Sequence, residues 1–255
     1  MINLLLFSML NIAVSIAPIK GIIEEIGGAH FNYETIYPIS ANPHIYEVRP
    51  GDIMKVKKAS LFIYSGRAEP GGKKLCQIAK KCVSLEKMLN VKKTTNPHIW
   101  LNPILVKGVI DSISSLFGTL EPEFSDTFIH NAAYTKSVID TILNEVHNAK
   151  GKSVILIHSA FEPLFKEMGF DVLIVSKEPG REPGARRIKE LSDEIKKKNV
   201  VLGVCETGRS CKIVKGLSKR YKFKVIELNP LYTQNFTDFL KNAVITIENA
   251  TNSSK

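Results

Sequence analysis

Three histidines carry the chemistry that this sequence offers. His44 and His98 sit in near-copies of one tip, "NPHIYEVRP" at 42–50 and "NPHIWLNP" at 96–103. Proline holds the residue before it in extended backbone and fixes its own φ, so Asn-Pro-His sets an imidazole at a defined point of a loop. His158 ends "VILIH", a strongly apolar run that leads into a helical pattern. Neutral imidazole is a common ligand of Zn²⁺, and three of them leave one position for a carboxylate, an amide or water. A single histidine is read as packing or surface. His30, in a Gly-Gly-Ala-His turn, and His130 and His147, in a helical stretch, take that reading. The shared context of His44, His98 and His158 makes them candidate metal ligands.

Such ligands need a scaffold, and the hydrophobic pattern supplies one. Short runs rich in Val and Ile predict strands at 12–17, 61–64, 154–157, 172–175, 200–204 and 225–228. Runs of this kind suit parallel strands buried on both faces. Amphipathic stretches at 18–26, 53–59, 103–116, 185–197 and 212–219 predict helices between them, two opened by a proline at a first-turn position. The alternation argues for βα units and two parallel sheets. Between the halves, 121–149 has no glycine and one proline, Pro122. Phe124, Phe128, Ala132, Val138, Ile142 and Val146 fall broadly on one face, and Gly151 follows as a stop signal. One helix of that length would run on the order of 40 Å.

The expected fold is therefore α/β, with two lobes, each a parallel sheet flanked by helices, joined by one long rigid helix. The expected boundaries are 1–120 for the first metal-binding lobe, 121–150 for the connecting helix and 151–255 for the second lobe. Ligands of open α/β sheets bind beyond the carboxyl ends of the strands. His158, Glu206 after "VVLGVC" and Asn229 after "KVIEL" all fall there.

Composition narrows the class. At 255 residues, with 44% hydrophobic and 24% charged residues, the chain can bury a core without staples. Its formal charge of +10 is spread over short runs such as Lys55-Lys57-Lys58 and Lys196-Lys197-Lys198, which read as solvated helix faces. No RNA-binding aromatic signature or zinc-finger spacing accompanies them, so no nucleic-acid partner is expected. Cys76 with Cys82, and Cys205 with Cys211, are not CxxC pairs. They permit two short disulfides, implying an oxidising compartment, or four reduced thiols. The apolar "MINLLLFSMLNIAVSIAP" has the length of a signal-peptide core but lacks a basic start. No Cys follows it, so no lipid anchor is expected, and no later segment reads as apolar enough to span a membrane. Asn235, Asn249 and Asn252 lie in N-x-[ST] sequons, which matter only on export.

The chain resembles the metal-binding subunit of zinc and manganese ABC importers, the cluster A-I solute-binding proteins. The likeness is collinear and covers nearly the whole chain. "SIAPIKGIIEEIGG" resembles that family's first strand and helix. "ANPHIYEVRPGDIMKVKKASLFIYSG" is similar to DPHxYEPxPxDxxxLxxADLxxYNG, "NPHIWLNPILV" to DPHxWLDP, and "HSAFEPLFKEMGF" to HxAFxYxxxxYGL. "REPGARRIKELSDEIKKKNVVLGVCE" resembles the stretch that carries EPSPxxLxxLxxxIK and the following strand, and "IELNPL" resembles LDPL.

The resemblance implies that His44, His98, His158 and Asn229 are the metal ligands, clamping an ion between lobes. It implies extracytoplasmic capture of a divalent metal, a monomer, and delivery to an ABC permease instead of catalysis. Asn42, Asn96, Asn102 and Asn229 all stand where the family usually has Asp, and each swap removes a potential negative charge near a cation. Three nitrogens and few carboxylates favour Zn²⁺ over Mn²⁺. Two alternatives remain open at this stage. One is a zinc-dependent hydrolase with an open fourth position, for which Glu162 is the obvious base. The other is a family member that has lost its metal. Glu206 matches a family position not expected to be a ligand. The long helix implies small local changes on binding instead of wide closure.

Overall fold

The computed structural model describes residues 9–146, 149–176 and 183–252. In the first lobe, β1 (Leu10–Val14), α1 (Ala17–Gly27), β2 (Phe31–Thr35), α2 (Pro50–Lys58), β3 (Leu61–Tyr64), α3 (Pro70–Cys76), β4 (Cys82–Ser84) and α4 (Leu85–Met88) build a parallel sheet of order β2-β1-β3-β4. Next come α5 (Pro103–Leu120) and α6 (Ser125–Asn144). The second lobe comprises β5 (Ser153–Leu156), α7 (Glu162–Glu167), β6 (Asp171–Ile174), α8 (Ala185–Lys197), β7 (Val200–Glu206), α9 (Lys212–Tyr221), β8 (Lys224–Leu228) and α10 (Phe236–Asn252), with sheet order β6-β5-β7-β8. Both sheets are parallel throughout, as the alternation predicts.

Two edge strands differ from expectation. β2, "FNYET", buries alternate residues only, and β4 is three residues long, so neither shows a continuous apolar run. The connecting helix is present but shorter than expected. Glu121, held extended at φ −133° and ψ 76° by the proline after it, breaks the chain between α5 and α6. A 3₁₀ turn at Pro122–Phe124 then starts α6, which ends at Asn144. At 20 residues, α6 is about 30 Å long. His130 on α6 is exposed and His30 packs on Phe124 and Phe128, in line with their bland readings. His147 lies outside the described residues. The expectation of no later membrane-length segment needs one correction, since α5 is long and apolar enough to cross a membrane. It is a core helix nonetheless: Val106, Val109, Ile110, Ile113 and Phe117 are buried and pack against α1 and α6.

One apolar core runs through both lobes, from Ile12, Phe62 and Trp100 to Val154, Leu164 and Phe236. A second core covers the other face of the second sheet, where β5 alternates Val154 and Leu156 on one side with Ile155 on the other. The lobes meet closely. A Cβ on Gly21 of α1 would stand 2.4 Å from the backbone oxygen of Gln234, so only glycine permits that approach. The Trp100 indole donates to Pro230 O at 2.8 Å, and the Tyr232 hydroxyl donates to Trp100 O at 3.3 Å. Both cysteine pairs are disulfides, with Cα–Cα distances of 5.4 Å for Cys76–Cys82 and 5.6 Å for Cys205–Cys211.

Candidate metal centre

All four Asn-Pro steps of the chain fold the same way. The side-chain oxygen accepts the N–H two residues on: Asn42 from His44 at 3.1 Å, Asn96 from His98 at 3.0 Å, Asn102 from Ile104 at 3.1 Å and Asn229 from Leu231 at 2.9 Å. These are Asx turns, which an amide oxygen closes as well as a carboxylate does. Asn102 also accepts from Leu105 and so caps α5. The four Asn residues thus supply the acceptor that shapes each loop without a carboxylate's charge.

The loops converge at the lobe boundary. His44 follows β2, His98 precedes a 3₁₀ turn at Ile99–Leu101 before α5, and His158 lies just beyond β5. One ligand atom from each of the three lies within 4.8 Å of the others. Ring centroids are 5.0 Å apart for His44–His98, 5.5 Å for His44–His158 and 4.9 Å for His98–His158. His98 and His158 are buried, while His44 is half-buried. The three rings line a cavity of about 510 Å³ together with Asn42, Trp100, Glu206, Arg209 and Asn229. Asn229 is exposed there, with its oxygen engaged by Leu231.

Two of the rings have a partner behind them. His98 Nδ1 lies 2.7 Å from Asn96 Oδ1, which can only accept. His158 Nδ1 lies 3.2 Å from Glu206 Oε1, and Arg209 Nε sits 2.9 Å from the other Glu206 oxygen. Behind His44, the Ala68 backbone exerts a small upward pull on the ring. Metal-binding imidazoles are oriented in this way, with one nitrogen donating to an acceptor and the other left bare. His98 Nε2 is thereby left as an acceptor, 3.0 Å from His44 Nε2, a separation at which the His44 ring can donate to it in the metal-free site or both nitrogens can ligate one ion. Around a tetrahedral zinc the ligand nitrogens stand about 3.3 Å apart, so the donor set fits that ion.

A proton is a poor substitute for the metal here. Burial pushes His44 down to about 4, aided by the nearby His158 and Arg209 charges, against a smaller upward pull from Ala68 and Glu206. Burial likewise holds His98 well below the usual imidazole range, followed by His158, His44 and Arg209. Both rings are therefore neutral and ready to ligate near pH 7.

The structure brings His44, His98 and His158 together and places Asn229 on the same cavity. Glu206, noted only as a nearby carboxylate, backs His158 through Nδ1. Glu162 does not serve as a base: its carboxylate meets the Asn96 amide at 3.1 Å and Lys166 at 2.6 Å, and it lines a separate hollow with Thr94 and Glu167. The hydrolase alternative finds no support in that arrangement. Sequence reading missed Ala68, Arg209 and the ring contact of Asn96. Ala68 and Arg209 carry no local signal, whereas the Asn-Pro-His tip was visible without its tertiary partners.

Comparison with known proteins agrees with this geometry. The profile of the family described as ZnuA, zinc-uptake complex component A, periplasmic, matches residues 12–250. The chain is 27% identical over 258 residues to the zinc-binding lipoprotein AdcA of Streptococcus pneumoniae, covering 87% of this chain and 50% of AdcA. It therefore spans about half the length of that relative. It is 24% identical over 234 residues to the manganese-binding lipoprotein MntA of Bacillus subtilis, covering 84% of this chain and 76% of MntA. Among solved structures, a crystal structure of ZnuA matches with a TM-score of 0.82 at 23% identity, over 95% of this chain and 99% of the other. That structural match shows a shared fold.

Proposed function

The chain belongs to the ZnuA family of zinc-uptake components, and from that premise we propose that it captures a divalent metal outside the cytoplasm and passes it to an ABC permease. Zinc is the proposed cargo, with manganese as the alternative. The proposed ligands are His44, His98 and His158, with Asn229 or a water in the fourth position. The observation that carries this reading is the triad itself: three imidazoles from three loops, two of them backed by their own acceptor, with ligand atoms within 4.8 Å of one another. Among the described residues no carboxylate joins that cluster, which favours a nitrogen-seeking ion over oxygen-seeking Mn²⁺. Two disulfides support an oxidising, extracytoplasmic setting.

Calorimetric titration of chelator-stripped protein with Zn²⁺, followed by competition with Mn²⁺, tests the reading. One saturable zinc site that manganese cannot empty is the expected result. The absence of any saturable site would overturn it and leave a family member that keeps the fold without the cargo.

A further inference from the structure

We propose that Asn96 is the positioning residue that locks the metal-ready form of His98 to the second lobe, and that this site requires an amide where a carboxylate would weaken it. The inference rests on the metal-binding reading above and deepens it.

Both ends of the Asn96 side chain are in use. Its oxygen accepts from the His98 backbone N–H at 3.0 Å and from the His98 ring at 2.7 Å. Its amide nitrogen donates to the Ser159 carbonyl at 2.8 Å and to Glu162 Oε2 at 3.1 Å. An asparagine has two acceptor sites on oxygen and two N–H donors, so the four contacts use all of its capacity. The orientation is forced as well. Ser159 O and the Glu162 carboxylate, which is paired with Lys166, can only accept, so the NH₂ group must face them. The oxygen must then face His98. That places the ring proton on Nδ1 and leaves Nε2 bare toward His44 and the cavity.

The contacts also span the lobes. Ser159 is the residue after His158, so one side chain ties the loop of one ligand to the loop of another. Asn42, in the matching place of the first tip, closes its turn on His44 N–H but belongs to a different environment at the cavity mouth.

Charge alone and geometry make opposite forecasts for Asn96→Asp. The change is nearly isosteric and adds a negative charge near a cation, which should tighten metal binding. Yet the second carboxylate oxygen would stand where the amide nitrogen now meets two acceptors, at 2.8 and 3.1 Å. Like groups at that range repel and would push the side chain off His98.

The test measures zinc affinity by chelator competition in the parent, Asn96→Asp, Glu162→Gln and the double variant. Loss of an outer partner of a metal-binding histidine costs about 10–100-fold in affinity. Asn96→Asp is expected to lose at least about tenfold on that scale. Adding Glu162→Gln is expected to restore part of the loss, because the new amide can donate to the carboxylate introduced opposite it while the Ser159 carbonyl still opposes it. An Asn96→Asp protein that binds zinc as tightly as the parent, or a double variant no better than Asn96→Asp, would overturn the proposal. A second readout needs no metal and no variant. Long-range ¹H–¹⁵N NMR of the chelator-stripped parent should show His98 with its proton on Nδ1. A proton on Nε2 would overturn the proposal even if zinc binds, while an Nδ1 proton in a protein that binds no zinc would sink only the metal reading.

Discussion

At the first Asn-Pro-His tip, the Asn42 oxygen closes a turn onto the His44 N–H, and the ring lies half-buried beside exposed Ile39 and Ile45. At the second tip, Asn96 closes the same turn, reaches the His98 ring and crosses to Ser159 and Glu162, and His98 is only 2% exposed. The shared letters account for the turn and nothing more. Local sequence aims each imidazole, whereas packing against the other lobe decides how firmly it is held. The second tip is therefore the preorganised half of the site, and the first is the half that solvent and cargo reach.

Removing one ring from each tip gives the largest expected contrast. His98→Ala should abolish saturable zinc binding, because it deletes a buried ligand and leaves the Asn96 oxygen without its ring partner. His44→Ala should weaken binding by more than the roughly 10–100-fold cost of losing an outer partner, yet leave a measurable site, since water can enter at its half-buried position. Chelator competition on both variants measures this. Equal loss in the two would erase the distinction between the tips.

A milder contrast keeps both rings and adds a charge. Asn42→Asp preserves the turn oxygen and should leave zinc affinity unchanged within about threefold or raise it, since the turn tolerates either side chain. Asn96→Asp should lower it. The same sign for both changes would mean that net charge, not hydrogen-bond geometry, governs the site.

The two disulfides sharpen the comparison further. Cys205–Cys211 closes the loop that carries Glu206, behind His158, and Arg209, whereas Cys76–Cys82 joins α3 to edge strand β4, away from the rings. Each short bridge should contribute about 2 kcal/mol to stability by restricting the unfolded chain. Replacing Cys205 and Cys211 by Ser should in addition cost about tenfold in zinc affinity, through a loosened Glu206. Replacing Cys76 and Cys82 should lower the melting temperature and leave affinity alone. Matched thermal melts and zinc titrations of the two double variants separate these outcomes.

How much of this was legible in advance follows the same division. Central strands β1, β3, β5 and β7 announced themselves as apolar runs because both of their faces are covered. Edge strands β6 and β8 were still legible as short Val- and Ile-bearing runs, whereas β2 stayed hidden because it buries alternate residues only and β4 because it is three residues long. The triad was visible through a repeated tip and a strand end. The four Asn residues were visible too, but as missing charges, because the oxygen that closes each turn counts only once the backbone is folded. Ala68, which acts through its backbone, and Arg209, one cation among 35 Lys and Arg residues, had no pattern to stand out from.

The smallest expected effect concerns protons. His44 and His98 are held below the ordinary imidazole value of 6.5, His44 at about 4, chiefly by burial. In the apo protein the unfolded chain therefore binds more protons than the folded one between about pH 6.5 and pH 4, so stability rises with pH across that window. It should be at full strength above pH 6.5 and fall as acid is added toward pH 4, which urea melts at a series of pH values would follow. Zinc meets the same rings already neutral at pH 7, so neither has a proton to surrender. His44 and His98 should then add little to the dependence of the apparent zinc-binding enthalpy on the buffer's ionisation enthalpy at pH 7, and more as the pH is lowered toward 5. A release of two or more protons at pH 7 would mean that at least one of these two rings is protonated before the metal arrives, and that burial does not prepare the tips for metal.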